Sequence, residues 1–483
     1  MPDNHGPWGL RWRAKPSFIL TTVAMGLFTD LVLYGILLPA LPFTMRNRFD
    51  IPNAEIQHYT SAFLATYAGA SVFFSVPAGW AASKLGSRQL FLGGLMFLVV
   101  ATAIFAFSTS LVLLVVSRLL QGMSTAVVWT AGLDMVQDTV EPSQVGETIG
   151  TIFATISVGE LAAPVLGGVL YERGGISAVF AVSAVLLAID LALRALVIDK
   201  KTAVKYESPR LIRFPVERNM SDDHVASAPT VMEAQESVHE GTRLLPQVDD
   251  DGDHYKIDRE LGSIVRAIPL LYCFREPRLH LAMLLSFVQA LFIGTFDATV
   301  PTVAESLFHF SSLQVGLVFI ALMLPYFALG RLSGQAIDRF GTKAAATSGY
   351  AFLVPCLMLL GLPEKNLVPK EANVALFCTI LALNGIGLAV VTSPGYVEAI
   401  DVTTKYQVAN PGHFGENGPY AQLFGFSSLY FFTGLAVGPL LGGFLRANFG
   451  NAVMGAVYAA ISGVTAIVSF LFVGVRRFGP GLV

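Results

Sequence analysis

The sequence predicts an all-α polytopic membrane protein with about twelve transmembrane helices in two six-helix halves. Of its 483 residues, 54% are hydrophobic and only 13% are charged, roughly half the charged fraction of an average soluble domain. The hydrophobic residues fall in continuous runs of about 20 residues, the length that crosses a bilayer as a helix. These runs form two groups of about six, separated by a long polar stretch.

The apolar runs divide the chain into five segments. The first half covers 18–198 and the second covers 280–474, with tails at 1–17 and 475–483 and a linker at 199–279. Helices are predicted near 18–42, 58–82, 89–108, 111–133, 145–170, 177–198, 280–301, 312–336, 343–362, 372–398, 420–446 and 451–474. Because the runs are continuous, they do not fit the short alternating strands of a transmembrane β-barrel.

The linker at 199–279 is predicted to be largely disordered. It is rich in Ser, Thr and Glu and contains an acidic run from Asp249 to Asp253, a composition that buries too little apolar surface to fold alone. A passive cytoplasmic tether is the simpler interpretation of this segment, and a regulatory segment is the alternative.

The distribution of basic residues predicts the orientation in the membrane. Most of the 31 Lys and Arg residues lie in the tails, the linker and the loops on the same side. Cytoplasmic segments of helical membrane proteins carry such an excess. We therefore expect cytoplasmic termini in a multi-pass protein of the plasma membrane or of a vacuolar or vesicular membrane.

Two sequence motifs recur at matching helices of the two halves. Gly79–Arg88 follows the second predicted helix, and Gly334–Lys343 follows the eighth. Gly159–Gly168 lies in the fifth helix, and Gly434–Gly443 lies in the eleventh. Parallel repeats of six helices are typical of secondary transporters, whose site lies between the halves near the middle of the membrane.

These motifs resemble the major facilitator superfamily over nearly the whole chain outside the linker. Arg118–Gly122 in the fourth helix is similar to the superfamily's Arg-containing motif. Asp30, followed by two prolines, and Phe296–Pro301 resemble the drug:proton antiporter branch, in particular its vesicular amine transporter-like group. The resemblance implies an acid linked to substrate or protons at Asp297, and a role in coupling for Arg118.

Four charged residues stand out within apolar helices: Asp30, Arg118, Glu160 and Asp297. A charge at mid-membrane costs at least about 2.5 kcal/mol, so each should face a cavity or a partner. A carboxylate at Asp30, or at a comparable place in the seventh helix at Asp297, can bind a proton or a cationic substrate; a structural ion pair is the alternative. Arg118 can hold a nearby carboxylate ionised or act as a structural partner for a backbone carbonyl or an acid. Glu160 is either a second titrating group or a helix-interface residue.

Three further sets of residues complete the predicted site. Polar residues at cavity depth that can orient a substrate are Tyr34, Gln289, Asn384, Thr392 and Ser428. A cytoplasmic gate is predicted from Gly79, Lys84, Gly86, Arg88, Gly334, Asp338, Arg339, Gly341 and Lys343, with simple positive-inside anchoring as the alternative. Helix kinks are predicted at Gly159, Pro164, Gly167, Gly168, Gly438, Pro439, Gly442 and Gly443, with ordinary small-residue packing as the alternative.

The sequence therefore predicts a proton-coupled antiporter that exports a small organic molecule, such as a drug, toxin, metabolite or amine, by alternating access. A facilitator or proton symporter for a nutrient or organic acid is the main alternative, followed by a non-transporting receptor. No catalytic constellation, P-loop or metal cluster is visible, so we expect neither an enzyme nor a cofactor. The expected partners are a small-molecule substrate, protons and the bilayer, with no nucleic acid, and the protein is expected to work as a monomer.

Overall fold

The computed structural model describes residues 8–140, 145–198, 255–257, 268–365, 368–414 and 419–474. Within these ranges the chain is helical and contains no β-strand. Most of the predicted linker and the whole predicted C-terminal tail lie outside the described residues. The described end of the linker packs on the second half, where Leu270, Cys273 and Leu279 are fully buried.

The helices follow the predicted apolar runs closely. Those of the first half are α1 (Leu10–Arg13), α2 (Pro16–Gly35), α3 (Leu41–Phe49), α4 (Ile56–Leu85), α5 (Ser87–Phe107), α6 (Leu111–Thr139) and α7 (Val145–Leu196). Those of the second half are α8 (Leu270–Cys273), α9 (Pro277–Phe308), α10 (Ser312–Phe340), α11 (Thr342–Met358), α12 (Lys370–Ala409) and α13 (Tyr420–Phe472). Two short 3₁₀ helices, Leu359–Gly361 and Pro363–Lys365, precede α12.

Ten of the described helices are long and apolar enough to cross a membrane. Two of them, α7 and α13, have 52 and 53 residues, more than twice the about 20 residues that one crossing requires. Each is broken by a glycine with non-helical backbone, Gly175 (φ 62°) in α7 and Gly450 (φ 81°) in α13. Each of these two elements therefore supplies two crossings, and the predicted fold of about twelve transmembrane helices is confirmed.

The sequence repeat extends to the turns between helices. Gly86 joins α4 to α5 with φ 87°, and Gly341 joins α10 to α11 with φ 86°, a region that glycine enters without steric cost. The next residue in each half bonds an acid on a neighbouring helix. Ser87 donates to Asp134 of α6, and Thr342 Oγ1 donates to Glu398 Oε2 of α12 at 2.9 Å.

Glycine also sets the closest helix contacts in both halves. A Cβ on Gly122 of α6 would overlap the Tyr67 carbonyl oxygen of α4, and a Cβ on Gly385 of α12 would overlap the Leu322 carbonyl oxygen of α10. Such small residues let two backbones approach where no larger side chain fits. Equivalent glycines therefore hold equivalent helix pairs together.

The two halves meet mainly at one membrane face. We call the face where α2 and α9 begin the terminal side and the opposite face the far side. On the far side Arg46 forms an ion pair with Glu305 at 2.5 Å, and Gln57 Nε2 donates to the Ala298 carbonyl at 3.1 Å. Arg446 of α13 also donates to Gln57.

A second far-side contact links α7 to α10. Glu172 of α7 accepts hydrogen bonds from the Ser311 hydroxyl at 2.6 Å and the Leu313 amide at 3.1 Å, at the start of α10. On the terminal side, no ion pair or hydrogen bond joins the halves among the side chains that the structure describes. The polar contacts between the halves that the structure describes thus hold the far side closed and are lacking on the terminal side.

The glycine contacts predict a sharp difference between two α-helical glycines. Gly122→Ala should lower the apparent Tm and the yield of monodisperse protein, because overpacking against Tyr67 costs about 1–3 kcal/mol. Thermal unfolding in detergent, followed by fluorescence-detected size exclusion, measures this effect.

Gly79→Ala is the matched control, since a Cβ at Gly79 meets nothing within 4 Å. Alanine also has the higher helix propensity, so this variant should melt at or above the wild-type temperature. Equal losses in the two variants would contradict the assignment of Gly122 to a close helix contact.

Candidate functional site

Asp30 lies inside the first half, held by neutral donors. It is 2% exposed. Its Oδ1 accepts a hydrogen bond from Thr125 Oγ1 at 2.9 Å, and its Oδ2 accepts one from Trp129 Nε1 at 3.2 Å. Both donors stand on α6. Asp30 forms no ion pair with any side chain in the described ranges, so its negative charge is hydrogen-bonded but not neutralised.

A second buried carboxylate, Asp297, joins the two halves. It is 3% exposed, and its Oδ2 accepts a hydrogen bond from Tyr34 Oη of α2 at 2.9 Å. The Tyr34 ring stacks on the Tyr67 ring with centroids 5.0 Å apart. Tyr67 Oη in turn lies 3.0 Å from Thr125 Oγ1. These contacts form a continuous connection from Asp297 back to Asp30.

Arg118 is fully buried but lacks an acidic partner among the described residues. Its Nη1 donates to Gln121 Oε1 at 2.7 Å, while its Nε and Nη2 have no hydrogen-bond acceptor. The guanidinium lies over aromatic rings, with Cζ 4.1 Å from the Phe63 centroid and 5.7 Å from the Phe105 centroid. Cation–π attraction therefore takes the place of an ion pair in this conformation.

Glu160 lies in the first segment of α7. It is half-buried. It stands about one helical turn before Pro164, whose carbonyl lies against Gly316 of α10 across the boundary between the halves. It makes no hydrogen bond or ion pair with the residues that the structure describes.

Gln289, Thr392 and Tyr326 form a polar cluster in the second half. Thr392 Oγ1 donates to the Leu388 carbonyl at 2.8 Å and so accepts a hydrogen bond from Gln289 Nε2 at 3.0 Å. Tyr326 Oη is 3.4 Å from Thr392 Oγ1. Gln289 is 2% exposed, and its Oε1 has no donor. The cluster therefore presents an unpaired acceptor at its centre.

The internal repeat pairs Asp30 with Gln289. Gly35 of α2 packs near Pro164, and Gly294 of α9 packs near Pro439 of the repeated motif. Asp30 and Gln289 each stand five residues before these glycines. Gln289 is thus the structural counterpart of Asp30. Asp297 lies eight residues beyond Gln289, about 12 Å along the helix, and is therefore nearer the far side.

Two other predicted cavity residues lie apart from these clusters. Asn384 is fully buried, and its Nδ2 donates to the Cys356 carbonyl at 3.2 Å and the Ile380 carbonyl at 2.8 Å. It thus connects α12 to α11 within the second half. Ser428 of α13 is half-buried and makes no hydrogen bond with a described residue. A role in substrate binding stays a prediction for both.

A buried ion pair stands beside the Asp30 site. Asp190 and Arg194, four residues apart in α7, are both fully buried. Arg194 Nη2 is 2.7 Å from Asp190 Oδ2 and Nε is 2.8 Å from Oδ1, while Nη1 donates to the Phe91 carbonyl at 2.6 Å. Because every charge here has a partner, this pair is a structural element of the first half.

The predicted gate residues with described side chains contact only their own halves. Arg88 Nε donates to the Val197 carbonyl at 2.7 Å. Arg339 lies over the Phe340 ring at 5.4 Å, and Lys343 lies over the Phe470 ring at 5.0 Å. Gly79 and Gly334 have open space around them. The side chains of Lys84 and Asp338 lie outside the described part of the chain.

The two Gly/Pro motifs provide contacts within and between halves. Gly167 packs on the α2 end and Gly442 packs on Thr295 of α9, each within its own half. The following glycines face the other half, Gly168 against Ser312 and Gly443 against Ser61. Gly159 and Gly438 also pack within their halves, whereas Pro164 contacts both halves, because its ring lies near Gly35 of α2 and its carbonyl lies against Gly316 of α10. The non-helical backbone of α7 falls at Gly175, outside its motif.

The fold is the one found in a known family of membrane transporters. The family model of the Major Facilitator Superfamily matches residues 23–249 and 282–482. The chain belongs to the Major Facilitator Superfamily. Both halves of the superfamily fold are therefore matched, and the residues outside the match are 1–22, 250–281 and 483.

Individual relatives agree with this assignment. The MFS-type transporter ppzB of Metarhizium majus is 90% identical over 454 residues, covering 94% of this chain and 99% of that protein. A probable vesicular acetylcholine transporter-B of Danio rerio is 28% identical over 216 residues, 44% of each chain. The crystal structure of a D-xylose-proton symporter shares the fold at TM-score 0.63 and 13% identity, covering 95% and 98% of the two chains.

Several site residues gave no distinct signal in the sequence. Tyr67 and Tyr326 are ordinary aromatic residues in apolar runs, and Thr125 is one of many hydroxyls. Gln57 and Arg446 stand near predicted helix ends, where polar residues are common. Only the contact between helices distant in sequence reveals that these residues surround the buried carboxylates or join the halves.

The buried ion pair predicts that Asp190 and Asp30 differ in their importance for folding. Asp190→Asn should destabilise the protein by about 3–5 kcal/mol, because it leaves the Arg194 charge buried without a carboxylate. Asp30→Asn keeps an acceptor oxygen for Thr125 or Trp129 and strips no ion pair. The apparent Tm of Asp30→Asn in detergent should stay close to that of the wild type. A larger decrease in Tm for Asp30→Asn than for Asp190→Asn would contradict this assignment.

Proposed function

We propose that this transporter is a proton-coupled antiporter that exports a small organic molecule by alternating access. The observation that carries the proposal is the pair Asp30 and Asp297, two buried carboxylates without a basic partner among the described residues, connected across the halves. A carboxylate in a low-dielectric site binds either a proton or a cationic group readily. Exchange of one for the other is the minimal chemistry of antiport.

The contact between Tyr34 and Asp297 supports a link between protonation and movement. The Tyr34 hydroxyl donates to the Asp297 carboxylate across the boundary between the halves. Hydrogen bonds to a charged acceptor are stronger than neutral ones. Protonation of Asp297 therefore weakens one of the contacts that holds the halves in their present arrangement, and release of the proton restores it.

The closed far side supports the direction of transport. Basic residues favour a cytoplasmic terminal side, so a conformation open on that side is ready to take substrate from the cytosol. Breaking the far-side contacts of Arg46, Gln57 and Glu172 then exposes the site to the opposite compartment. The two halves move as rigid bodies because glycine contacts such as Gly122 and Gly385 fix the helices within each half.

We further propose the domain boundaries 1–17, 18–198, 199–279, 280–474 and 475–483 for the functional chain, with cytoplasmic termini and a tethering linker. The protein then functions as a monomer in the plasma membrane or a vacuolar or vesicular membrane. A proton symporter for uptake is the second candidate, supported by the fold shared with the D-xylose-proton symporter.

Coupling is tested in sealed membrane vesicles with a compound that a deletion strain retains and the wild type exports. Wild-type vesicles should accumulate it only while a proton gradient is present. Asp30→Asn and Asp297→Asn should each lower gradient-driven accumulation at least about tenfold, since each removes a group that titrates. Counterflow without a gradient should persist.

Glu371→Gln, at the exposed start of α12, is the matched control and should transport normally. Full gradient-driven accumulation by both Asp variants would rule out coupling through these carboxylates. Accumulation in the same direction as the proton flux would favour the symporter.

The far-side contacts predict that a buried residue at the boundary between the halves becomes more accessible to labelling when one contact is removed. Ser61, 2% exposed and packed against Gly443, is replaced by Cys and labelled with a membrane-impermeant maleimide from the far side. Glu305→Gln removes the ion pair with Arg46 and should increase the labelling rate several-fold, because the closed state loses a contact between halves.

Glu364→Gln is the matched control for this experiment. Glu364 accepts a hydrogen bond from the Asn451 amide at 3.0 Å within the second half, so its loss separates no halves. Equal labelling of the Glu305 and Glu364 variants would show that Glu305 does not hold the far side closed.

A further inference from the structure

A cavity of about 600 Å³ lies on the far side of the first half. Its walls come from the end of α3, the end of α5 and the residues of α7 on both sides of the break at Gly175. A volume of this size falls in the range of ligand sites in proteins. None of the buried carboxylates Asp30, Glu160 and Asp297 lines it, so this cavity is separate from the boundary site between the halves.

Arg48 stands in the wall of this cavity with part of its hydrogen-bonding capacity unused. Its Nη2 donates to the Ala106 carbonyl at 2.7 Å, and its Nη1 donates to the Phe105 carbonyl at 3.4 Å. A guanidinium carries five N–H groups, so these two bonds leave three without an acceptor among the described residues. The Phe49 ring, 5.8 Å from Cζ, adds only a weak attraction. The end of α5 therefore holds the Arg48 charge in place without neutralising it.

The remaining polar groups of the lining are neutral. Asn47 and Ser177 are exposed, and Asn47 Nδ2 lies 3.5 Å from Tyr171 Oη. No acidic side chain of the described residues lines the cavity. Of the acids nearest in sequence, Asp50 is exposed outside the lining, and Glu172 already bonds the start of α10. A guanidinium beside neutral donors is suited to an anion with several oxygens, above all a phosphate.

Exposed apolar surface leads to the cavity along two helices. Residues three or four apart share one face of a helix, and on α5 such an exposed row ends at Phe107 in the cavity wall. Its members are Met96, Val100, Ala103 and Phe107, which is 84% exposed. A second row starts in the wall at Ser177 of α7 and continues through Ala181, Val185 and Ile189. The Phe105 and Phe180 rings, with centroids 5.0 Å apart, join the two helices where the rows meet the cavity.

We propose that this cavity binds the phosphate of a phospholipid from the far-side leaflet, with an acyl chain along the exposed rows of α5 and α7. The N–H groups of Arg48 that α5 leaves unused donate to the phosphate oxygens, and the Ser177 hydroxyl on the α7 wall adds a donor. A soluble anion would meet the same guanidinium but leave both apolar rows without a ligand. The continuity of the rows with the cavity therefore favours a lipid.

Binding is tested with the purified, delipidated full-length protein in an uncharged detergent, by native mass spectrometry. The probe is dioctanoyl phosphatidic acid, and dioctanoylglycerol has the same chains without the phosphate. The phosphatidic acid should bind at least about tenfold more tightly, because hydrogen bonds from a guanidinium to a charged acceptor are strong. Inorganic phosphate at the same concentration should not displace it, because it buries no apolar surface.

Variants assign the binding to this cavity. Arg48→Gln should weaken binding of the phosphatidic acid at least about tenfold and leave that of dioctanoylglycerol unchanged, whereas Arg48→Lys should retain part of the preference. Ser177→Trp fills the cavity and should also remove the preference. Arg173→Gln is the matched control, since Arg173 is exposed on the same face but outside the lining. It should change the binding less than about twofold.

Three results would overturn the proposal. They are equal binding of the phosphatidic acid and dioctanoylglycerol, wild-type binding by a folded Arg48→Gln variant, and displacement of the lipid by inorganic phosphate, which would assign the cavity to a soluble anion. If Arg48→Gln yields no monodisperse protein because the end of α5 loses two hydrogen bonds, Ser177→Trp decides the question, since it leaves those bonds in place. The outcome is independent of the vesicle experiment on Asp30 and Asp297, because neither carboxylate lines this cavity.

Discussion

The absence of water in the hydrocarbon core is the constraint on which the rest of this structure depends. A charge placed there needs a partner in the protein, and four charged groups of the described residues differ in how far this need is met. Asp190 has a full ion pair, Asp30 has neutral donors, Arg118 has aromatic rings, and Glu160 has none of these. A charged group whose interactions are complete, such as Asp190, stabilises the fold. A charged group with few or no partners can bind a proton or a ligand.

The same constraint explains why glycine is so prominent at the helix contacts. Lipid provides no hydrophobic drive for helices to associate, so close packing must supply the attraction. Gly122 and Gly385 bring backbones together within the halves, and Gly168 and Gly316 do so between them. Rigid halves joined by a few close contacts suit a protein whose movement is confined to the boundary. A softer helix packing would spread the same displacement over many internal contacts.

The sequence was sufficient for the fold but only partly sufficient for the site. Helix number follows from the apolar runs, and the breaks at Gly175 and Gly450 fall in the predicted gaps, because length and polarity are local properties. The buried charges were also visible, as rare residues in apolar runs. Their partners were not, since the rotation of each helix and the fit of the halves depend on contacts distant in sequence. Asn384 appeared suited to a cavity, yet its amide connects α12 to α11.

The internal repeat gives a physical reason for the unequal charge of the two halves. Trp129 donates to Asp30, and at the corresponding place Gln289 donates to Thr392, so the same position is a carboxylate in one half and an amide in the other. Two facing carboxylates at equal depth would repel each other and raise the cost of closing the halves. With Asp297 about two helical turns nearer the far side, the negative charges are spread along the path between the faces. The Tyr34 and Tyr67 rings fill the interval between them, so the asymmetry of the repeat is what allows two acids to share one boundary.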